Sequence, residues 1–434
     1  MDNVFLRIWR TTELRSKLLF VLGVLIIFRA AAAIPVPGVD AAKVSDFIAR
    51  NQIFGLLNLF TGGSLESFSI VMLGVGPYIT ATIIFQLLTM IFPALKRLYY
   101  EEGERGRQKF NQYSRMVTVP LALMQAYAFL RLLQSQEVIV FSDPLTTVTA
   151  VFVVAAGTIW LMWLGELISE KGIGNGVSLI IFAGIVTAMP SAVYQNLAQG
   201  GDQLSRLPVY AIFVIVALIV IAGVVIINEA QRQIPVSYAK RVRGMRVYGG
   251  VSTHLPLRVN SAGVIPIIFA ISLLLLPSMV AQLLSAVGVA PAAKIAQAID
   301  ITIKNRTVYD AIYFILVVVF TYFYTSVVFD PKEISQNLQK SGGFIPGIRP
   351  GQSTAAFISH IVNRITFAGA VFLGIIAVLP NVMQTVFVTA FPTVSSGVSS
   401  LAIGGTSVLI VVSVVLETFK QIGAQLSLHE YDAA

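Results

Sequence analysis

Cysteine is absent from the 434 residues, which excludes a disulfide framework, a thiolate metal site and a cysteine nucleophile, and leaves the redox compartment unreadable. Charge is scarce too: Asp, Glu, Lys and Arg make up 12% of the chain, about half the share of an average soluble domain. Histidine occurs only at His254, His360 and His429, none with a second ligand at metal spacing, so no metal or histidine chemistry is implied. A glycine-rich stretch, GIGNG at 172–176, lacks the Lys-Ser/Thr ending of a nucleotide-binding loop and reads as a tight turn. Carboxylates are missing where a proton relay needs them. Glu166, Glu229 and Glu417 fall near the ends of apolar stretches, and Arg29 and Arg131 near the opposite ends, where a long side chain can snorkel.

What is present is apolar length. Hydrophobic residues make up 56% of the chain, and runs long enough to cross about 30 Å of hydrocarbon recur throughout, which describes a polytopic helical membrane protein. Ten spans are expected, at about 17–34, 74–93, 116–134, 148–167, 176–193, 208–228, 261–285, 308–328, 365–388 and 400–419. The first is followed by IPVPGVD rather than a small-residue cleavage site, so it reads as a retained span. Alternate connections carry 22 Lys and Arg on the side of the N-terminus against 7 on the other, and the positive-inside rule then makes both termini cytoplasmic. The two longest basic connections, 229–258 and 329–364, share that side. RVYGG at 246–250 reads as a β-hairpin arm, and SGGFIPGIRPG at 341–351 as a rigid turn presenting Arg349.

One stretch fits no span. TGGSLESFSIVMLGVGPYI, residues 61–79, sets glycines and serines before an apolar run broken by Gly74, Gly76 and Pro77. It is an ordinary loop, the unwound middle of a transporter helix, or a short segment filling a cavity. Non-helical backbone at membrane depth survives only where protein or water covers it. The side chains favour the third reading: Leu65, Phe68, Ile70 and Met72 are apolar over about two helical turns, with Gly62, Gly63 and Gly74 as hinges. Beyond it Val75 and Ile79 share a helix face, a spacing that belongs to packing or to a gate.

The motifs IPVPGVD, FTGGSLESFSI with GPYITA, EGERGRQKFNQYSR, GELISEKGIGNGVSLIIFAGI, RVYGG with THLPLRVNSAGVIPIIFA, FDPKEIS with GGFIPGIRPG, and GGTSVLIVV follow one another along essentially the whole chain. In these the chain resembles the SecY family, the central pore subunits of the bacterial protein-conducting channel. The resemblance implies an all-α membrane protein of ten transmembrane helices in two inverted five-helix halves, 1–193 and 194–434, around a central pore. It implies a short plug helix at about 60–73, carrying Gly62, Gly63, Leu65, Phe68, Ile70 and Met72. By motif alignment the pore ring falls on Val75, Ile79, Val177, Ile181, Ile268 and Ile410, and a narrow aliphatic ring of this kind resists wetting. A lateral gate between the second and third and the seventh and eighth spans would draw on Thr80, Gln86, Gln125 and Asn260. Lys240, Arg241, Arg246 and Arg349 would meet the docking partner, a ribosome or a SecA motor ATPase.

The resemblance further implies SecE-like and SecG-like small subunits, signal sequences and nascent polypeptide as clients, release of apolar segments into the lipid bilayer, no cofactor, and no nucleic acid beyond that of the ribosome. The chain departs from the family pattern at Met245, where a second basic residue is common, and in a C-terminal tail that lacks a basic extension. Other classes fare worse. A secondary transporter needs buried coupling residues, and a membrane hydrolase needs a nucleophile, base or metal, none of which the spans offer.

Overall fold

The computed structural model describes residues 11–36, 61–100, 102–135, 143–171, 173–198, 203–238, 241–243, 246–248, 252–286, 305–390 and 405–432, together with 39, 43, 44, 58, 138 and 139. Ten long helices coincide with the ten expected spans: α1 (Thr12–Ala32), α2 (Gly76–Ile91), α4 (Gly103–Ser135), α5 (Pro144–Glu170), α6 (Gly176–Ala198), α7 (Gln203–Glu229), α8 (Ile265–Ala286), α9 (Arg306–Val328), α11 (Gln352–Ala390) and α12 (Gly405–Asp432). Two short helices, α3 (Pro93–Tyr100) and α10 (Pro331–Lys340), lie in connections. Among the described residues, five helices are each long and apolar enough to cross a membrane, and α2 with α3, bent through 115° at the break between them, makes a sixth such unit.

The starts of these helices are chemically marked. Asp143 accepts from the Leu145 N–H with Pro144 in the first turn of α5, and Asp330 accepts from Lys332 N–H at 2.8 Å with Pro331 opening α10, so the otherwise orphaned N–H groups are capped. Hydroxyls inside apolar helices bond to carbonyls one turn back, as from Thr118 to Ser114, Thr321 to Val317 and Thr418 to Val414. In hydrocarbon such a group has no other cheap partner.

The helices close into a ring of two arcs. In one, α2 packs on α4, α4 on α5 and α5 on α6, with α1 across α5 and α6; in the other, α8 packs on α9, α9 on α11, and α12 joins α7 and α11. The arcs meet at two seams, α8 against α2 and α4, and α12 against α6.

The two long basic connections fold as one body. Strand β1 (Gln231–Tyr238) pairs antiparallel with β4 (Ser252–Arg258) in the register Ile234↔Leu255, and also with β5 (Gly343–Phe344) through Ser237↔Phe344. Between them β2 (Arg241–Arg243) and β3 (Arg246–Tyr248) form the hairpin that RVYGG suggests. Alternation along β1 buries Ile234 and Val236, which pack with Leu257, Ile345, Ile358 and Val362. A carboxylate introduced there by Val236→Asp costs several kcal/mol. Trypsin is therefore expected to cut at Arg232 and at Arg349 at least about tenfold faster in the same sample, since local opening governs cleavage. Acceleration at Arg232 alone means that the connections fold separately.

Candidate pore and its plug

Each of the six aliphatic residues expected in the ring sits in the first turns of its helix or caps it. Val75 is the N-cap of α2 and its carbonyl accepts from the Ile79 N–H at 3.1 Å. Val177 and Ile181 stand one turn apart on α6, Ile268 in the first turn of α8 and Ile410 in the second of α12. All six belong to one hydrophobic cluster: Val75, Ile181 and Ile410 are buried, while Ile79, Val177 and Ile268 are partly exposed at its edge. Gly176 lets α6 start against α5, because a Cβ there would lie 1.9 Å from the Gly165 carbonyl oxygen.

Residues 61–75 bridge this cluster to a second one. Val71 belongs to the ring cluster, whereas Leu65, Phe68 and Met72 are wholly buried with Phe129, Leu130 and Leu133 of α4 and Val151 and Val154 of α5; Ile70 touches both. Gly62, Gly63 and Gly74 have φ of 71°, 79° and 56°, the left-handed region that glycine enters without steric cost.

The segment is not the two-turn helix that its sequence suggests. A single turn forms, with Ser67 N–H donating to Gly63 O, and then Phe68 N–H donates to Leu65 O and Ser69 N–H to Ser64 O. That pair of bonds is a Schellman motif, whose left-handed position is normally glycine. Here it is Phe68, with φ 46°, a backbone strained by about 1–2 kcal/mol. The burial of its ring holds it there.

After Phe68 the chain passes beside the end of α1 before it turns again at 69–72. Val36 N–H donates to Phe68 O at 2.9 Å and Ile70 N–H to Ile34 O at 3.0 Å, around a bridge between Pro35 and Ser69. Side chains complete the account: Arg29 Nη1 donates to Gly62 O at 2.5 Å, Ser67 Oγ to Ala32 O at 3.0 Å and Ser64 Oγ to Thr61 O at 2.6 Å. Arg29, which by sequence only snorkels, ties α1 to this segment.

The residues expected at the lateral gate divide. Thr80 is buried on α2 and donates to Gly76 O of its own helix, Gln125 is buried on α4, and Gln86 Oε1 is buried without a partner among the described residues. Those helices face α8 across the seam. Asn260 turns elsewhere. Its Nδ2 donates to Asn228 Oδ1 at 2.7 Å and to Gly263 O, and Asn228 donates on to Ser413 Oγ at 2.7 Å, all within its own arc. Of the docking set, Arg349 is exposed at the tip of a turn whose Gly347 and Gly351 have φ of 82° and 96°, and its carbonyl accepts from Thr354 Oγ1 at 2.9 Å. Arg241 and Arg246 lie on the β2–β3 hairpin, and Lys240 lies outside the described residues.

One carboxylate escapes the sequence reading. Asp310 lies inside the eighth expected span, one turn into α9, where it accepts from Asn381 Nδ2 of α11, and Arg306 Nη2 donates to the Asn381 carbonyl at 2.6 Å. It fastens α9 to α11. Its signal in the sequence was Asp four residues after Arg, opposite an Asn in a span.

The six aliphatic ring candidates, on four helices, share one hydrophobic cluster, and residues 61–75 lie between it and a second one. The profile of the SecY family matches residues 69–419. The chain belongs to the SecY family. Among curated SecY relatives, the protein translocase subunit SecY of Streptomyces galbus is 41% identical across 100% of this chain and 99% of its own length. That of Mycobacterium tuberculosis is 42% identical, with the same coverage. The fold matches a solved protein-conducting channel with TM-score 0.64 at 21% identity, over 94% of this chain and 91% of the other. It also matches Sec61 in the canine ribosome-channel complex from the endoplasmic reticulum, with TM-score 0.60 at 20% identity and the same coverage. As a SecY-family protein the chain is a multi-pass membrane channel for protein, not an enzyme.

The strain at Phe68 makes a specific test. Phe68→Ala and Phe68→Gly both lose the buried ring, worth about 3–5 kcal/mol, and both are expected to raise resting ion conductance in planar bilayers. Glycine alone accepts φ 46° freely, so the Gly variant should leak about twofold less than the Ala variant or better. An Ala variant no leakier than the Gly variant would show that the strain does not contribute to the closed state.

Proposed function

We propose that this chain is the pore of a passive translocase in the bacterial cytoplasmic membrane, with both termini in the cytoplasm. It passes unfolded secretory polypeptides outward and releases transmembrane segments sideways into lipid. The single observation that carries this reading is that the six aliphatic ring candidates share one cluster, into which Val71 and Ile70 of the segment 61–75 also pack. A constriction of this composition repels water and ions, yet has no fixed geometry and yields around an extended chain.

The opening follows from the two arcs, 1–193 and 194–434, hinging about their contacts. Sideways release uses the seam of α8 with α2 and α4, where Thr80, Gln86 and Gln125 are the polar contacts. Hydrogen bonds between helices in lipid average less than about 1 kcal/mol, weak enough for a signal sequence to displace. The basic body of β1 to β5 with Arg349 at its tip takes the docking partner, a ribosome or a motor ATPase such as SecA, that supplies the driving force. The SecY-family assignment and the canine complex support the ribosome and SecE-like and SecG-like small subunits as partners.

The chain, purified with its small subunits, is expected to conduct little in planar bilayers. Deletion of residues 62–72 and, separately, Ile410→Gly should each raise conductance at least about tenfold, because each removes buried apolar contact worth a few kcal/mol from the closed state. If both variants stay as tight as the parent, the ring and plug are not the seal. For the docking face, Arg349→Glu should lower motor-driven transport at least about tenfold without changing resting conductance. Transport at the parent's rate would place the partner elsewhere.

A further inference from the structure

Two glycines in helix interiors have no turn to explain them. Gly157 lies in the middle of α5 and Gly184 in α6, positions where glycine is a poor helix former and alanine the best. Both meet the segment 61–75 backbone to backbone. A Cβ on Gly157 would stand 2.0 Å from the carbonyl oxygen of Ile70 and 2.8 Å from its carbon. A Cβ on Gly62 would stand 2.5 Å from the Cα of Gly184. These contacts grip the segment near both of its ends, and neither neighbour is a flexible side chain that can swing aside. The segment is also tied to α1, by Arg29 at Gly62 itself and by Ser67 between the two contacts.

We infer that Gly157 and Gly184 form the seat of the plug, and that the close backbone approach of Gly157 to Ile70 and of Gly62 to Gly184, rather than the ring alone, sets how much of the time the resting pore is sealed. The inference rests on the reading of residues 61–75 as a plug. Aliphatic contacts of the plug can re-form after a shift of about an ångström, but a carbonyl lodged against a helix axis cannot. A methyl group at 157 therefore displaces the seated plug as a whole. Close approach at glycine also lets a Cα–H face the Ile70 carbonyl, a weak contact that recurs where backbones meet. Gly157 and Gly184 are in this sense positioning residues, which act on the pore only through the plug.

The experiment uses the full chain with its small subunits. Gly157→Ala is expected to raise resting conductance at least about tenfold, close to the effect of deleting 62–72, whereas Gly23→Ala, whose Cβ would meet nothing within 4 Å, should change nothing. The chain has no cysteine, so Met72→Cys gives a single thiol, buried in the seated plug. It should react with a membrane-impermeant maleimide at least about tenfold faster in the Gly157→Ala background. Combining Gly157→Ala with the deletion should leak no more than the deletion alone, and the deletion should restore any thermal stability that Gly157→Ala removes. A tight Gly157→Ala channel with the introduced thiol still protected, beside a leaky deletion, overturns the seat and leaves the plug standing. Additive leaks also overturn it, since Gly157 would then act through helix packing. A deletion that does not leak refutes the plug itself, and the seat with it.

Discussion

Backbone that is not helical cannot stand at bilayer depth unless protein satisfies it, and that constraint shapes the rest of this molecule. Residues 61–75 meet it with partners both inside and outside themselves. Two strand-like bonds reach the end of α1, Arg29 takes the Gly62 carbonyl, and Ser64 and Ser67 return to carbonyls nearby. Helices α4 and α5 cover the segment with apolar side chains, and α5 and α6 also meet its backbone at Gly157 and Gly184. The place of α1, the small residues of α5 and α6 and the start of α2 at Val75 all follow from covering this stretch of irregular chain.

The seal and its release draw on interactions of different stiffness. The aliphatic cluster is non-directional, so its residues can part and close again around something new. The hydrogen-bonded ties of the plug and the Asn260–Asn228–Ser413 and Asp310–Asn381 links are directional. They fix helices within an arc: Asn260 and Asn228 hold the start of α8 to α7 and α12, and Asp310 holds α9 to α11. On α2, a helix that meets α8 across the seam, the Thr80 hydroxyl turns back to Gly76 of its own helix. Directional bonding thus ties helices together inside the second arc, where the arc must stay whole.

Apolar length made the ten long helices legible, but not their ends: the start of α5 at Pro144, capped by Asp143, lies before the apolar run that marked its span. The hairpin at 241–248 was readable from its β-branched and aromatic residues around a glycine. What could not be read depends on contacts far apart in sequence. Nothing local marks Phe68 as left-handed, because a burial created by α4 and α5 holds it there against its own preference. Leu65 to Met72 has the pattern of a helix, and the pairing with 34–36 overrides it. Asn260 looked like a gate residue from its position before α8, but its bonds depend on where α7 and α12 pass. The joining of the two basic connections into one sheet pairs residues about a hundred apart, Ser237 with Phe344, and no repeat or spacing announces it.

That sheet carries a mechanical consequence. Strand β1 continues from α7, β4 leads into α8, and β5 stands between α9 and α11, so four membrane helices end on one small rigid plate. Any torque applied to the plate is divided among helices on both sides of α8, and a slight twist there becomes a sideways stroke farther down their length. On the docking proposed for Arg349, a pull at that one point would reach four helices at once through the plate, with no wire of residues running through the protein.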